Sequence, residues 1–509
     1  MKRFYVILIM LMSFPVKAQK HDFYWLFGPQ GVVNPSNSYE EQFCTNHIDF
    51  NTQPFTSYGV YDLKDVSTCG TAFSDKFGNF IFYSDGLSIY NRNYKQMPNG
   101  AGLNPGQVAN QWINAGISYP SIRGVFVLPA VGNDSLFYVF HNGIVWDSIG
   151  SLGTFSNHLY YTIVNMNLDS GLGDVTIKNH EIIQDTIIGG GGMAACRHAN
   201  GRDWWLVVQN AFTNCFHKYL LTPHGLDTLQ VQCIGDTLHF NQDRGSNAFA
   251  PDGSKYVWSN PFEHLSILDF DRCTGEFSNF QRIYVVDSLT KADSTAVIAD
   301  GVSISPNSRF LYLSTGSELR QYDLQTSDVA GSAIVIANTY KDENGCTVWL
   351  SQLAPDGQIY INQFNADTTL HVIHNPDLPG FDCNFERKAI HLPCLDPYTM
   401  PYYPNYRLGP KSESDCDTLG LEIVNRVTND KIEVFPNPFI DKINIQYMGP
   451  KQMVGIDIKV VDLLGRSMLI NSHSFQNMIS IPTLDWPSGI YGVIFSNSDS
   501  VKAMIVVKK

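Results

Sequence analysis

Three stretches of the chain share one rhythm, a small polar turn followed by alternating apolar positions. "APDGSKYVWS" begins at Ala250, "SPNSRFLYLS" at Ser305 and "APDGQIYINQ" at Ala354. Period-two alternation sends successive side chains to opposite faces, so each stretch predicts a half-buried strand entered from a hairpin. Weaker copies read "SDKFGNFIFYS" from Ser74, "AVGNDSLFYVF" from Ala130 and "HANGRDWWLVV" from His198. The centres of these strands, Tyr83, Tyr138, Leu206, Val257, Tyr312 and Tyr360, recur about every 50 to 70 residues. A period of that order belongs to stacked β-blades rather than to a helical solenoid.

A second strand follows each of these after a polar turn: "LSIYN" at Leu87, "LYYTIVNM" at Leu159, "CFHKYLL" at Cys215, "LSILDFD" at Leu265, "LRQYDL" at Leu319 and "LHVIHN" at Leu370. Two clear strands per period with weaker ones between them make a four-stranded blade. A single blade cannot bury both faces, so blades stack radially until a ring closes. The expected architecture is therefore an all-β propeller of seven blades, with six or eight as alternatives. The seventh blade is expected to form from both ends, "DFYWLFG" at Asp22 and "HIDFN" at His47 joining "RKAIHLP" at Arg387. Asp252 and Asp356 are expected to cap their own Pro-Asp-Gly turns by accepting backbone N–H bonds.

Past Cys416 the texture changes. A polar linker leads into "IEVFPNPFIDKINIQY", then into "GIDIKVVDLLGR", "MISIPTLDWPSGIYGVIF" and "VKAMIVVKK". Short alternating strands separated by Gly and Pro turns predict a small Ig-like antiparallel β-sandwich. The division expected is 1–18 signal peptide, 19–410 propeller, 411–429 linker and 430–509 sandwich.

The N-terminus sets the compartment. Lys2 and Arg3 precede an apolar run, Phe4 to Met12, and a small-residue site at Val16-Lys17-Ala18, as in a secretory signal peptide cut after Ala18. No later stretch approaches the roughly 20 apolar residues of a transmembrane helix. The net charge of −14 disfavours phosphate backbones, so no nucleic-acid partner is expected. All ten Cys lie at or before Cys416, and in an exported chain they are disulfide candidates. Cys196 with Cys215 and Cys383 with Cys394 are the pairs close enough in sequence to bridge neighbouring strands.

Pro436-Asn437-Pro438-Phe439, the "DLLGR" run ending at Gly465-Arg466, "LDWPSGIY" from Leu484 through Gly489 to Tyr491, and the terminal Lys508-Lys509 stand in fixed order over about 80 residues. Together they resemble the type A C-terminal sorting domain of the Bacteroidetes type IX secretion system. That resemblance implies export across the outer membrane by the secretion machinery, then release or attachment at the cell surface. The preceding chain resembles WD40-like propeller proteins of the same phylum, through "CGTAFSDKFGNFIFYSDGLSIYNRNYKQMPNG" from Cys69, "VNMNLDSGLGDVTIKN" from Val164, "RHANGRDWWLVV" from Arg197 and "LSILDFDRCTGEFSN" from Leu265. This second family brings a fold expectation and no catalytic residues.

Local chemistry is sparse. "HEIIQ" from His180 has Gln184 where a zinc protease needs its second His, and the segment does not read as a helix. The run Gly189 to Gly192 lacks the Lys of a phosphate loop and reads as a flexible connection between blades. Asp269 and Asp271 share a strand face before a Thr-Gly turn and read as turn caps. No cofactor and no metal are expected. Aromatics remain: Trp204, Trp205, Trp112, Trp146 and Trp258 fall in or beside strands, and Tyr90, Arg92 and Tyr94 occupy a polar loop. Aromatic faces beside amides and guanidiniums suit sugar rings. Trp204, Trp205, Tyr90, Arg92 and Tyr94 are therefore the ligand-binding candidates, although the adjacent tryptophans must face opposite ways and one of them is expected to pack between blades. The function expected is non-catalytic binding of an extracellular glycan, matrix or protein, with a secreted hydrolase or lyase as the alternative.

Overall fold

The computed structural model describes residues 19–30, 43–146, 154–184, 188–227, 230–237, 245–259, 265–285, 301–339, 347–363, 367–396, 400–411, 416, 432–447, 453–462, 467–475, 478–496 and 501–509. The signal segment and the Gly465-Arg466 pair lie outside them. The fold is all-β, with 53% strand and 5% helix. Backbone contacts divide it into two compact units, Met1–Ser412 and Glu413–Lys509.

The first unit is a succession of small antiparallel sheets laid down in chain order. The first sheet joins Tyr24–Phe27, Thr45–Asp49 and Thr56–Val60; the second joins Thr71–Ser74, Phe80–Ser84, Ser88–Asn91 and Gln96–Ala101. A nine-stranded sheet follows, and it is two arrays held together by one pairing, Ser156 with Ile188. Its first array runs Val125–Pro129, Leu136–Trp146, Thr154–Asn165 and Asp174–Ile183. Its second runs Ile188–Arg197, Trp204–Asn210 and Cys215–Thr222, with Gly225–Leu226 and Gln230–Cys233 both on the last strand. Three four-stranded sheets complete the unit, beginning with Ser246–Phe249, Gly301–Ile304 and Ser351–Leu353.

Every strand centre read from the sequence falls in the second strand of its sheet or array, where Tyr83, Leu206, Val257, Tyr312 and Tyr360 are at most 1% exposed. The polar turns before them act as expected. The Asp252 carboxylate accepts the Ser254 N–H at 2.8 Å and Asp356 accepts that of Gln358 at 3.0 Å. Gly253 and Gly357 hold φ of 74° and 84°, a left-handed backbone that costs glycine little. In the Pro-Asn-Ser copy, Ser308 takes φ 61° at that position.

Sheet faces are buried against their neighbours. Trp205 and Phe216 meet Tyr256, Phe270 and Phe277, while Val257 and Ile267 meet Val302, Leu311 and Leu313. The first strands of successive sheets also lie side by side: Tyr24–Phe27 against Thr71–Ser74, that strand against Val125–Pro129, and Ile188–Arg197 through Ser246–Phe249 and Gly301–Ile304 to Ser351–Leu353.

Several expectations are corrected. The "RKAIHLP" segment lies in strand Phe385–Asp396, which pairs with Asp367–Ile373 as the outer strand of the last sheet and does not complete the first. The link between first and last sheets is instead covalent, a Cys44–Cys394 disulfide, reinforced by Asn46, whose side chain bonds the Cys394 N–H and C=O at 3.0 and 3.1 Å. A further disulfide, Cys215–Cys233, crosses two paired strands, Cys273 and Cys416 are also disulfide-bonded, and Cys196 and Cys383 are buried free thiols. Sequence proximity failed here because the folded geometry, strand register for Cys215–Cys233 and packing of two sheets for Cys44–Cys394, decides which sulfurs meet. Gly189–Gly192 is not a connecting loop either. It lies inside strand Ile188–Arg197, as an irregularity that the partner strand spans without extra residues. A nine-residue helix, Gln107–Ala115, closes on Gly116 in a left-handed cap.

The second unit holds two antiparallel sheets. One is Ile432–Phe435, Lys442–Tyr447 and Met478–Pro482; the other orders Ser467–Phe475, Met453–Asp462, Gly489–Ser496 and Val501–Lys508. Val434, Ile443, Ile445, Ile458, Val460 and Val493 are buried in a shared core.

Candidate functional site

The segment Met400 to Leu408, "MPYYPNYRL", carries three tyrosines between prolines that deny it a regular ladder. Its side chains reach the first strands of several sheets. The Tyr403 hydroxyl lies 3.1 Å from the Tyr24 carbonyl and 3.0 Å from that of Ala72, so one proton serves the first two sheets. Tyr406 donates to Val127 O at 2.6 Å and accepts at its own carbonyl from Arg197 at 3.2 Å. Tyr402 donates to Asn247 Oδ1 at 2.6 Å, Asn405 Nδ2 to Pro251 O at 2.7 Å, and the Tyr403 N–H to Gln352 Oε1 at 3.4 Å. Arg407 forms a 2.5 Å ion pair with Asp22, whose side chain is only 3% exposed. Burial raises the phenols of Tyr402, Tyr403 and Tyr406, so all three stay neutral donors.

Beside this strap is a cavity of about 270 Å³, close to the low end of ligand pockets at about 300 Å³. Asn247, Ser303, Ser351 and Gln352 line it from three first strands, and Arg123, Tyr402 and Asn405 complete the polar wall. Arg123 donates to the Ser246 hydroxyl and to Ser351 O, and its guanidinium lies 5.0 Å over the Tyr402 ring. Arg123 holds φ 56°, a strained backbone for a long side chain. The carboxylate in the lining is Asp22, and Arg407 already occupies it. The wall thus offers hydroxyls, carboxamides and guanidinium, a set that recognises polar ligands by hydrogen bonding.

The candidates named from sequence are placed elsewhere. Trp204 is buried with its ring 5.7 Å from Tyr406 and 4.2 Å under the Arg197 guanidinium. Trp205 faces the other way and donates its indole N–H to Arg272 O at 2.9 Å. Tyr90 lies in strand Ser88–Asn91, stacked on Tyr83 at 4.8 Å and bonded to Asp85 at 3.0 Å. Arg92 is exposed and donates to Gly171 O at 2.8 Å, and half-buried Tyr94 joins a separate aromatic cluster. Asp269 is ion-paired with Lys255, Asp271 caps the Cys273 N–H at 2.7 Å, and His180 lies in a strand. Sequence reasoning missed the strap. Its signal was an aromatic and proline-rich stretch, without alternation, where no further strand was needed.

In the second unit the dispersed motifs converge. Asn437 Oδ1 accepts the Val507 N–H at 2.9 Å, Phe439 N–H bonds Val507 O at 2.8 Å, and Lys509 N–H returns to Phe439 O at 3.0 Å. These bonds fasten Pro436-Asn437-Pro438-Phe439 to the last strand. The Lys508 ammonium, 8% exposed, donates to Thr483 O and, at 3.4 Å, to Leu484 O. Gly489 pairs with Lys508, and Tyr491 donates to Pro487 O at 2.5 Å while its ring packs 5.1 Å from Trp486.

No curated protein matches this chain. Solved structures similar to it include a candidate 6-phosphogluconolactonase from Bacteroides uniformis, with 11% identity over 74% of this chain and 98% of that one, TM-score 0.42. Another from Bacteroides fragilis has 11% identity over 73% and 96%, TM-score 0.36. The extracellular domain of a candidate hybrid two-component system from Bacteroides thetaiotaomicron has 10% identity over 92% of this chain and 62% of its own length, TM-score 0.31. Likenesses this distant carry no statement about activity. Residues 433–509, by contrast, match the family described as the secretion system C-terminal sorting domain, and that tail supports a type IX secretion substrate bound for release or for the outer-membrane surface.

Proposed function

We propose that the chain is an exported recognition protein. In this reading residues 19–410 form a seven-bladed β-propeller that binds an extracellular glycan, matrix component or protein without catalysis, and residues 411–429 link it to an Ig-like sorting domain, 430–509. Support for a closed ring comes from the Cys44–Cys394 bridge and from the strap that ties first strands of several sheets to one axis. Pro436, Asn437, Pro438, Gly465, Arg466, Gly489, Tyr491 and Lys508 carry the sorting signal.

The observation that carries the binding reading is the wall of the axial cavity. Glycoside hydrolysis needs two carboxylates roughly 5 to 10 Å apart with freedom to exchange protons. The carboxylate in this wall is held by an arginine, and the groups around it are hydrogen-bonding amides and hydroxyls. The test is binding of the full-length oxidised protein to an array of bacterial, plant and host-matrix glycans. Retention that Gln352→Ala weakens supports the cavity as the site; retention indifferent to Gln352→Ala and Ser303→Ala removes it.

A further inference from the structure

A second site lies away from the cavity, where the third strand of the first sheet meets the second sheet. His47, fully buried, is the register partner of Tyr58, and their rings stack at 5.0 Å. Tyr58 is 42% exposed. Its hydroxyl meets that of Tyr24, and Tyr24 in turn lies 2.8 Å from His47 Nδ1. The imidazole Nε2 has no partner among the described residues. Burial lowers the His47 pKa to about 3, so the ring is neutral outside the cell. Half-buried Tyr94 closes the cluster, edge-on to His47 at 5.9 Å and 6.2 Å from Phe80, which stacks on Tyr24 at 4.8 Å.

Two features set this cluster apart from ordinary packing. Tyr94 adopts φ 60°, a conformation that is an outlier for a bulky residue and is tolerated where neighbours over-determine it. The surface phenol also heads a buried chain of polar groups, so an aromatic face and a polarised hydroxyl are offered at one place. Its surroundings do not favour an anionic chain: Thr56, Ser57 and Asn93 are exposed, Lys95 pairs with Asp62 at 3.7 Å, and the Asp49 carboxylate acts on Tyr24.

We propose that Tyr58 and Tyr94 form a platform for a neutral oligosaccharide of β-linked pyranoses. The Tyr58 and Tyr94 rings lie at 24° and 78° to the same imidazole plane, so they meet different units of a twisted chain, whose flat C–H faces stack on the phenols and whose equatorial hydroxyls meet the Tyr58 oxygen. Tyr58 and Tyr94 contact the ligand, and His47 and Tyr24 are positioning residues that fix the Tyr58 ring and hydroxyl. The platform stands independently of the axial cavity, since its rings come from the outer strand of one sheet and a hairpin of the next.

The experiment is calorimetric titration of the full-length protein with cellohexaose, mannohexaose and, as a charged control, hexagalacturonate. At least one neutral hexasaccharide is expected to bind. Tyr58→Ala and Tyr94→Ala each then lose about tenfold in affinity, roughly 1.4 kcal/mol, while Tyr58→Trp restores it. His47→Gln, which leaves the surface ring in place, loses a smaller factor of about threefold. Gln352→Ala leaves this binding untouched, which separates the platform from the cavity. Unchanged affinity in Tyr58→Ala, binding of hexagalacturonate alone, or silence with both neutral sugars overturns the proposal. An unaltered urea midpoint in Tyr58→Ala excludes misfolding as the cause of any loss.

Discussion

Cys44 and Cys394 are bonded to each other across 350 residues of sequence. The bridge closes nearly the whole first unit into one covalent loop, and the Asn46 amide holds the same two strands by hydrogen bonds. A cross-link over so long a loop acts chiefly on the unfolded chain, by removing its open conformations. The double change Cys44→Ser and Cys394→Ser is expected to lower stability by about 3 to 5 kcal/mol, read as a fall in the urea midpoint. An unchanged midpoint means the sheets are held without the bridge.

The strap gives a second expectation. Tyr403 is buried and shares one hydroxyl proton between carbonyls of two sheets. Tyr403→Phe keeps the ring and leaves both acceptors with one partner fewer, so a loss of about 1 to 2 kcal/mol is expected. Tyr406→Ala removes a ring packed on His21, Phe73 and Trp204, with an expected cost of about 3 to 5 kcal/mol. Denaturant unfolding monitored by tryptophan fluorescence compares the two. Equal effects would show that removing the Tyr406 ring costs no more than removing the Tyr403 hydroxyl, against this expectation.

Acid should loosen the first unit through its histidines. His141 is fully buried, with Nδ1 donating to Asn104 Oδ1 at 2.7 Å and Nε2 accepting from Thr162 Oγ1 at 2.9 Å. Burial lowers its pKa from 6.5 to about 3. Between those values the unfolded chain binds a proton that the folded chain refuses, so stability present above 6.5 is lost as pH falls toward 3. Asp85 works in the opposite sense. Burial raises its pKa from 3.8 to about 6, so its contribution is full below 3.8 and is lost as pH rises through 6. His141→Gln should shrink the stability lost between pH 7 and pH 5 by about 2 kcal/mol. Urea midpoints at the two pH values measure this, and an identical drop in the variant would exclude His141 as a source.

The last strand is fastened into the second unit by its lysine. The Lys508 ammonium is inserted beneath the Thr483-Leu484 turn, where an alanine leaves two carbonyls short of a donor. Lys508→Ala is expected to leave protein in the periplasm that otherwise reaches the surface or the medium. Fractionation and immunoblotting of cells carrying the variant decide this. Normal surface delivery would show that the convergence of Pro436, Tyr491 and Lys508 serves folding alone.

How much of this was legible depended on whether the signal was local. Alternation located the second strand of four sheets and of both arrays of the nine-stranded one, and the Asp252 and Asp356 caps followed from turn chemistry. Disulfide partners were not legible, since Cys215 meets Cys233 through strand register and Cys44 meets Cys394 through tertiary folding. The adjacency of Trp204 and Trp205 told that they face opposite ways, but not that both are buried, one against Tyr406 and the other bonded to Arg272. The cavity wall comes from residues as far apart as Asp22, Arg123 and Gln352, and no window of sequence contains it. Tyr94 was singled out for its ring, whereas its partners His47 and Tyr58 emerged only with the fold.

Recognition without turnover is the activity proposed for this protein. The decisive measurement incubates the full-length oxidised protein with each polysaccharide it retains and follows reducing ends and unsaturated products over a day. Retention with no new ends and no new unsaturation is the expected result. Steady, protein-dependent release that survives Tyr58→Ala but not Gln352→Ala would make the cavity beside the strap a catalytic site and contradict it.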